Sequence, residues 1–430
     1  MQQKHIQMEK LLKFITEHYG DDISRLILDR KKYPGIDIDL AVNCIESRRK
    51  LKGKVQEWHD NPNLIFPLKL SAEQCSSSAT GRYKAELAER IAGRMTLADL
   101  TGGLGVDSWF FSQKASKVIY NEMQSVLCEA AKHNFTALGA ENIIVFNNEI
   151  TADRCLDSLR SLDMTAETDC HFERSDSEDE KSIDIVYIDP ARRGEGGKKV
   201  FLIEDCTPDV LTLKDKIFKT VRHILIKLSP MADITMVCNR LGATCREVHV
   251  VGTAGECKEL LIWMDREWNE DYTIIAAELH SDGCVSTFSF KTAEEKSSTP
   301  ITAPALGKYL FEPGKALMKA GAFNLLSERY GIGKLGRSTH YYTTDSEDTA
   351  EALKPLGKVF QIAEYLPLDK RNLKCFGKQY PKSEVTARNI PMDSDTLKKK
   401  LGITSGDDAH IFGLKSDTEG NLLIAARRLR

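Results

Sequence analysis

With 430 residues, a formal net charge of −3, 41% hydrophobic and 29% charged residues, the chain has the makeup of a globular protein of about two to four domains. No apolar run nears the ~20 residues of a membrane-spanning helix, and the near-neutral charge excludes a chain-wide polycation. Eleven cysteines, scattered singly from Cys44 to Cys375 with no C-x-x-C pair, argue against a disulfide framework or a zinc site, and no metal is expected.

The N-terminus, Met-Gln-Gln-Lys-His-Ile, has neither the apolar stretch of a signal peptide nor the Arg-rich character of a transit peptide, so a cytoplasmic location is expected. Residues 1–68 form a helical region: Leu11, Leu12 and Ile15, then Ile23, Leu26, Ile27 and Leu28, recur at helical spacing. A polar cluster, Glu73 to Lys84, precedes a helix over about 83–94; it reads as an ordinary capped helix, with Tyr83 and Lys84 as possible cofactor-lining residues.

From Leu97 short apolar runs alternate with helical ones, the pattern of βαβ units on a parallel sheet. Seven strands are expected, at 95–100, 117–121, 143–146, 183–188, 223–228, 247–251 and 260–264, within a domain over 69–268. Helices over 123–138 and 207–220 serve as crossovers, the second opening on Thr207 as N-cap and Pro208 at the first helical position. Residues 167–182 read as a polar surface insertion. A small α+β (ferredoxin-like) connecting domain is expected over 269–345, with strands at 274–279 and 285–290 and one helix over 313–330. The last segment, 346–430, reads βαβαββ, and residues 351–430 hold about 15 Lys/Arg against about 10 Asp/Glu, a local positive excess.

The glycine-rich segment Asp99-Leu100-Thr101-Gly102-Gly103-Leu104-Gly105-Val106-Asp107 joins a strand to a helix, where missing Cβ atoms let the backbone approach a ligand and the helix start offers free N–H groups. A dinucleotide fingerprint needs glycine or alanine three residues after Gly105, and the chain has Ser108, with the acid Asp99 ahead of the turn. Both features favour S-adenosyl-L-methionine (SAM) over a nicotinamide cofactor. In that reading Asp99 fixes the turn or meets the methionine ammonium, and Gly103 and Gly105 make room for the methionine part. Glu122, 17 positions after Gly105 at the end of the next strand, is placed to accept ribose hydroxyls. Asn148 or Glu149, ending the third strand, is the candidate for the adenine amino group.

These residues resemble the class I SAM-dependent methyltransferases over about 200 residues, which implies a Rossmann-like α/β sheet with an antiparallel final strand. Thr101 stands where many members carry glycine, a variant resembling nucleic-acid methyltransferases. The fourth strand ends Ile188-Asp189-Pro190-Ala191-Arg192-Arg193, similar to the D-P-P-Y class of amino-methyltransferases. There the acid and a proline carbonyl orient the target amine, so catalysis is chiefly positioning. Ala191-Arg192 replaces Pro-Tyr, which removes the usual stacking aromatic. Arg192 and Arg193 can clamp a phosphate or a carboxylate, and Gly194 to Lys199 reads as a flexible cover. Lys227 reads as a strand-end surface lysine.

Leu68 to Ala85, the glycine turn, I-D-P-A-R-R, Gly255 to Leu261, Tyr309 to Pro313 and the βαβαββ tail together resemble a bacterial methyltransferase family ending in a THUMP-like domain. The resemblance implies transfer to a base nitrogen of structured RNA, chiefly tRNA. Alternatives are a methyltransferase acting on an anionic metabolite, or an RNA-binding protein that retains SAM without catalysis.

Overall fold

The structure is a computed structural model that describes residues 2–150, 183–192 and 202–429. The insertion expected over 167–182, Arg193 and the segment 194–199 lie outside the described residues. The chain forms two compact units: residues 1–246 with 261–270, and 247–260 with 271–430. Among the described residues, no helix is long and apolar enough to cross a membrane.

The first unit opens with helices α1 (Gln2–Glu17), α2 (Ile23–Leu28), α3 (Ile38–Leu51), α4 (Gln56–His59), α5 (Lys69–Gln74) and α6 (Ser78–Ala92). The apolar spacing seen in the sequence becomes one buried cluster, with Leu11, Phe14, Ile15, Leu26, Ile38 and Ile45 at its centre. Asp22 and Asp37 cap α2 and α3 by accepting from the backbone N–H of Arg25 and Leu40. Helix α6 starts earlier than the 83 expected, because Ser77 and Thr80 close a capping box.

Next come β1 (Thr96–Asp99), α7 (Val106–Ser112), β2 (Lys117–Asn121), α8 (Ser125–Ala137), β3 (Ile143–Phe146) and β4 (Ile185–Ile188). They are followed by β5 (Ala191–Arg192), β6 (Cys206–Thr207), α9 (Val210–Ile217), β7 (His223–Leu228) and α10 (Ile234–Leu241). Strands β1, β2, β3, β4 and β7 pair in parallel in the order β3-β2-β1-β4-β7. Chain direction across the sheet reverses between β1 and β4, so their carboxyl ends flank the crevice where open α/β sheets bind ligands. Helix α9 begins later than expected: Thr207 lies in β6, paired with Ala191, and Asp209 caps the helix by accepting from Leu211 and Thr212 N–H.

The chain passes to the second unit within β8 (Cys245–Thr253) and returns within β9 (Cys257–Asp265). In the second unit, β10 (Thr273–Leu279) pairs in parallel with β8 and antiparallel with β11 (Val285–Lys291), so a sheet runs across the boundary expected at 268/269. After α11 (Thr292–Ser297) come β12 (Tyr309–Pro313), α12 (Lys315–Ala320), α13 (Phe323–Tyr330), β13 (Gly333–Lys334), β14 (Tyr342–Thr344) and α14 (Glu347–Leu353). The single helix expected over 313–330 is two, because Gly321 takes a left-handed conformation that ends α12.

The tail follows the expected βαβαββ order: β15 (Gly357–Pro367), α15 (Lys370–Gln379), β16 (Lys382–Arg388), α16 (Ser394–Leu401), β17 (Thr404–Ser416) and β18 (Gly420–Arg428). Strand β12 pairs with β15, giving one seven-stranded sheet in the order β13-β14-β12-β15-β18-β17-β16 that crosses the boundary expected at 345/346. Alternation divides its side chains: Leu422, Ile424 and Phe412 enter one core, Leu423, Ala425 and Ile411 the other, beneath α15 and α16.

Asn134, fully buried on α8, anchors the helical N-terminal region. Its side-chain oxygen accepts from Ile65 N–H at 2.8 Å and its amide donates to the Ile65 carbonyl at 2.8 Å. Asn134→Ala leaves both backbone groups unpartnered in the interior and is expected to cost roughly 2–4 kcal/mol. Urea denaturation checks this as a lower midpoint at unchanged slope; a midpoint equal to that of the wild type refutes it.

Candidate functional site

The glycine turn is built on Tyr120. A Cβ on Gly102 would lie 2.2 Å from the Tyr120 ring, and one on Gly105 would lie 2.7 Å from the Phe135 ring. The turn backbone therefore lies flat on these rings, and Tyr120 closes it by donating its hydroxyl to the Gly103 carbonyl at 2.6 Å. Leu100 N–H donates to the Tyr187 carbonyl of β4, and Gly102 N–H to the Asn121 carbonyl of β2. Gly103 (φ +54°) has only the Thr101 carbonyl oxygen, 3.8 Å away, near the place of a Cβ. Of the two glycines expected to make room for the methionine part, Gly103 faces open space, whereas the space beside Gly105 is filled by Phe135.

Asp99, 1% exposed, ends β1 and holds the turn: one carboxylate oxygen accepts from Thr101 N–H at 3.0 Å, the other from the Ser108 hydroxyl at 2.6 Å. Ser108, which sets this turn apart from a dinucleotide fingerprint, thus completes the turn's own bonding. Burial pushes the Asp99 carboxyl up to about 7, against those two hydrogen bonds and with help from the charges of Asp107 and Asp189.

Glu122, nearly buried, accepts from Gly103 N–H at 2.9 Å with one oxygen and from Gln124 N–H at 2.8 Å with the other. Each carboxylate oxygen has two lone pairs, so both keep capacity for a ribose hydroxyl. Asn121 clasps the end of β3, accepting from Asn148 N–H and donating to its carbonyl at 3.0 Å, which leaves the Asn148 and Glu149 side chains exposed. The open side of Gly103, the spare acceptors of Glu122 and the exposed Asn148 and Glu149 fit an adenosine carrying a methionine chain.

Asp189 follows β4 across the switch point, with Pro190 buried behind it. The Asp189 N–H donates to the Thr101 hydroxyl at 2.7 Å, so the threonine that departs from the common glycine bonds the two strand ends together. Its carboxylate takes the Lys227 ammonium at 2.6 Å on Oδ2. Lys227 is therefore a largely buried ion-pair partner of Asp189, not the surface lysine expected. The signal was its position as the penultimate residue of a strand otherwise apolar from Ile224 onward. Arg192 lies in β5, with its backbone paired to Cys206; its side chain lies outside the described residues.

A second charged group lies beside the first. Lys84, fully buried on α6, pairs with Asp107 at 3.2 Å and donates to the Ser76 hydroxyl at 2.8 Å. Asp107 also accepts from the Ser76 and Tyr187 hydroxyls at 3.0 and 2.8 Å. Burial is the largest single influence on Asp107 and raises it, but Lys84 and Lys227, with the two hydroxyls, together bring it below the ordinary carboxylate range. An acid in the first turn of a helix reads as a dipole partner, so the sequence did not single out Asp107.

Comparison with known proteins agrees with this fold. Residues 309–349 match a ferredoxin-like domain model and residues 357–428 a THUMP domain-like model. A crystal structure of a Porphyromonas gingivalis W83 protein, provisionally named a methyltransferase, is 28% identical, with a TM-score of 0.83 over 98% of both chains. An uncharacterized SAM-dependent methyltransferase of Mycobacterium tuberculosis, from strains CDC 1551 / Oshkosh and H37Rv, is 24% identical over 360 residues, 82% of this chain and 86% of the relative. The chain is thus similar over most of its length to proteins named as SAM-dependent methyltransferases. Its ferredoxin-like and THUMP-like segments follow the Rossmann-like sheet.

Removing one partner of a buried pair strands the other charge. Lys84→Met is expected to cost roughly 3–5 kcal/mol at neutral pH, with most of it recovered in Lys84→Met/Asp107→Leu. In the wild type the folded Asp107 value lies below 3.8, so its stabilisation persists at pH 4 and is lost only as pH falls further. Without Lys84 the buried carboxyl rises and takes up a proton between pH 7 and pH 4, so the deficit of Lys84→Met shrinks in acid. Denaturation of both variants at pH 7 and pH 4 checks this; a deficit independent of pH, or no recovery in the double variant, contradicts it.

Proposed function

We propose that this chain transfers the methyl group of SAM to a base nitrogen of structured RNA, most readily tRNA. One observation carries the reading: the Asp189 backbone is bonded to Thr101 of the glycine turn, so the acceptor carboxylate and the cofactor turn are held together at the switch point. When bound, SAM supplies an electrophilic methyl on a sulfonium. Glu122 would hold the ribose hydroxyls, Asn148 or Glu149 the adenine amino group, and the turn around Gly103 the methionine part.

For the acceptor, Lys227 occupies Asp189 Oδ2 and leaves Oδ1 to accept a hydrogen bond from the target amino group beside the Pro190 carbonyl. Two acceptors on one N–H₂ group fix its plane and aim the nitrogen lone pair at the methyl carbon. This is catalysis by orientation, and it requires no strong base. Arg192 is assigned to a phosphate next to the target. The THUMP domain-like match over 357–428 and the positive excess of the same region support RNA over an anionic metabolite.

The decisive experiment incubates the protein and labelled SAM with RNA from a strain lacking it, then identifies the modified nucleoside; label in no nucleoside overturns the RNA reading. Asp189→Ala keeps the backbone bond to Thr101, so SAM affinity should hold within about twofold while methyl transfer falls at least about 100-fold. Lys227→Met frees Oδ2 and is expected to lower kcat by about tenfold. Full activity in Asp189→Ala would remove it from the acceptor site.

Asp99 gives a pH signature. Its folded value, about 7, lies above the unfolded 3.8, so its contribution to stability is fully present below 3.8 and lost as pH rises through about 7. A cationic cofactor favours the ionised form, so SAM affinity is expected to climb by up to about tenfold per pH unit below 7 and then level off. Calorimetry across pH 5.5–8.5 reads this in the wild type, and Asp99→Asn should flatten it. An identical climb in the variant assigns the titration elsewhere.

A further inference from the structure

The outward faces of α15 and α16 carry an array of cations that helix stability explains only in part. Lys370, Arg371, Lys374 and Lys378 on α15 and Lys399 and Lys400 on α16 are all exposed. Among the described residues, none of them forms a side-chain ion pair or hydrogen bond; Lys399 acts on Asp393 only through its field. The inward residues Leu373, Phe376, Leu397 and Leu401 fill the core below, so Arg371, Lys374, Lys378 and Lys399 lie on the opposite faces of two packed helices, with Lys370 and Lys400 on their flanks.

Packing brings the two groups together. Gly377 lies so close to α16 that a Cβ there would be 1.9 Å from the Leu401 carbonyl oxygen. That contact sets the last turn of α15, with Lys374 and Lys378 nearby in sequence, against the last turn of α16, which holds Lys398 to Lys400.

A helix C-terminus favours lysines, which accounts for Lys398 to Lys400 in a protein with no partner. It does not account for Lys370 and Arg371, which sit in the first turn of α15, where the dipole disfavours cations and no acid is present. The N-cap Asp369 offsets them in part through its field, but its oxygens accept from the Asn372 backbone and side-chain amide and form no ion pair with either cation. Gathering like charges on one surface opposes folding, and a polyanion that releases counterions on binding relieves it.

We propose that the paired outer faces of α15 and α16 are a phosphate-backbone binding surface for RNA; this rests on the RNA reading above and assigns the grip to these helices, not to the sheet. Helix α15 is about 15 Å long, enough to follow several consecutive phosphates. Binding there reads charge and spacing but no base, so the surface holds the substrate and leaves the choice of nucleotide to the transfer site.

The test uses the full chain, an unmodified 20-base-pair RNA hairpin, and vesicles of phosphatidylglycerol and phosphatidylcholine. The variant is Arg371→Gln/Lys374→Gln/Lys378→Gln/Lys399→Gln, whose four sites are solvent-facing; an unchanged thermal midpoint verifies its fold. The variant's Kd for the hairpin should rise about tenfold or more at 0.1 M KCl, and its plot of log Kd against log salt should be shallower by about three. In methyl transfer to RNA, KM should rise and kcat should hold. Equal affinity and slope in variant and wild type would overturn the surface while leaving the transfer reading intact. Wild-type protein that binds the vesicles but not the hairpin, or that binds neither, would overturn RNA as its partner. Hairpin binding lost in the variant, in a wild type that methylates no RNA, would uphold the surface and sink the transfer reading.

Discussion

Tyr120 lies under the glycine turn with its ring edge where a Gly102 side chain would begin, and its hydroxyl closes onto the Gly103 carbonyl. With the backbone pressed on that ring, Gly103 N–H reaches Glu122 and Thr101 lies beside the end of β4. The turn's position is thus decided by a buried aromatic on the neighbouring strand. The candidate cofactor and acceptor groups are carried on strand ends within one hydrogen-bonded frame, which holds side chains more tightly than free loops do.

Around that frame two acids of the same motif meet opposite fates. Asp99 is buried with one backbone N–H and one hydroxyl as donors and without a cation, and its carboxyl rises to about 7. Asp107 is also buried, but beside Lys84 and in the field of Lys227, and it falls. Asp189 shares Lys227 and stands partly open to solvent, with 37% of its side chain exposed. The strand ends thus combine a structural carboxyl that titrates near neutral pH, one held ionised beside Lys84, Ser76 and Tyr187, and a third partly open to solvent.

In the second unit, the ferredoxin-like and THUMP domain-like matches meet in one sheet, since β12 pairs with β15 from Tyr309↔Gln361 to Pro313↔Gly357. One face of that sheet is covered by α15 and α16. Their inward faces are set by core packing, and only the outward faces remain open to the demands of a partner.

Much was legible in the residues alone. The parallel strands, the glycine turn, the two-helix tail and the helical lead-in follow from local rules: apolar period, glycine punctuation and capping side chains act over a few residues, and they are written in order along the chain. What lay beyond them needed contacts between distant segments. Asn134 bracketing Ile65, Thr101 meeting Asp189, Lys227 turning to Asp189, and Lys84 buried against Asp107 join residues 23 to 88 positions apart. Strand pairing across the expected domain boundaries was out of reach for the same reason: β8 with β10, and β12 with β15, find their register only on folding. A polar side chain is free to be surface or site until folding decides what surrounds it. Its charge, partner and proton affinity come from burial and neighbours, which sequence spacing does not encode.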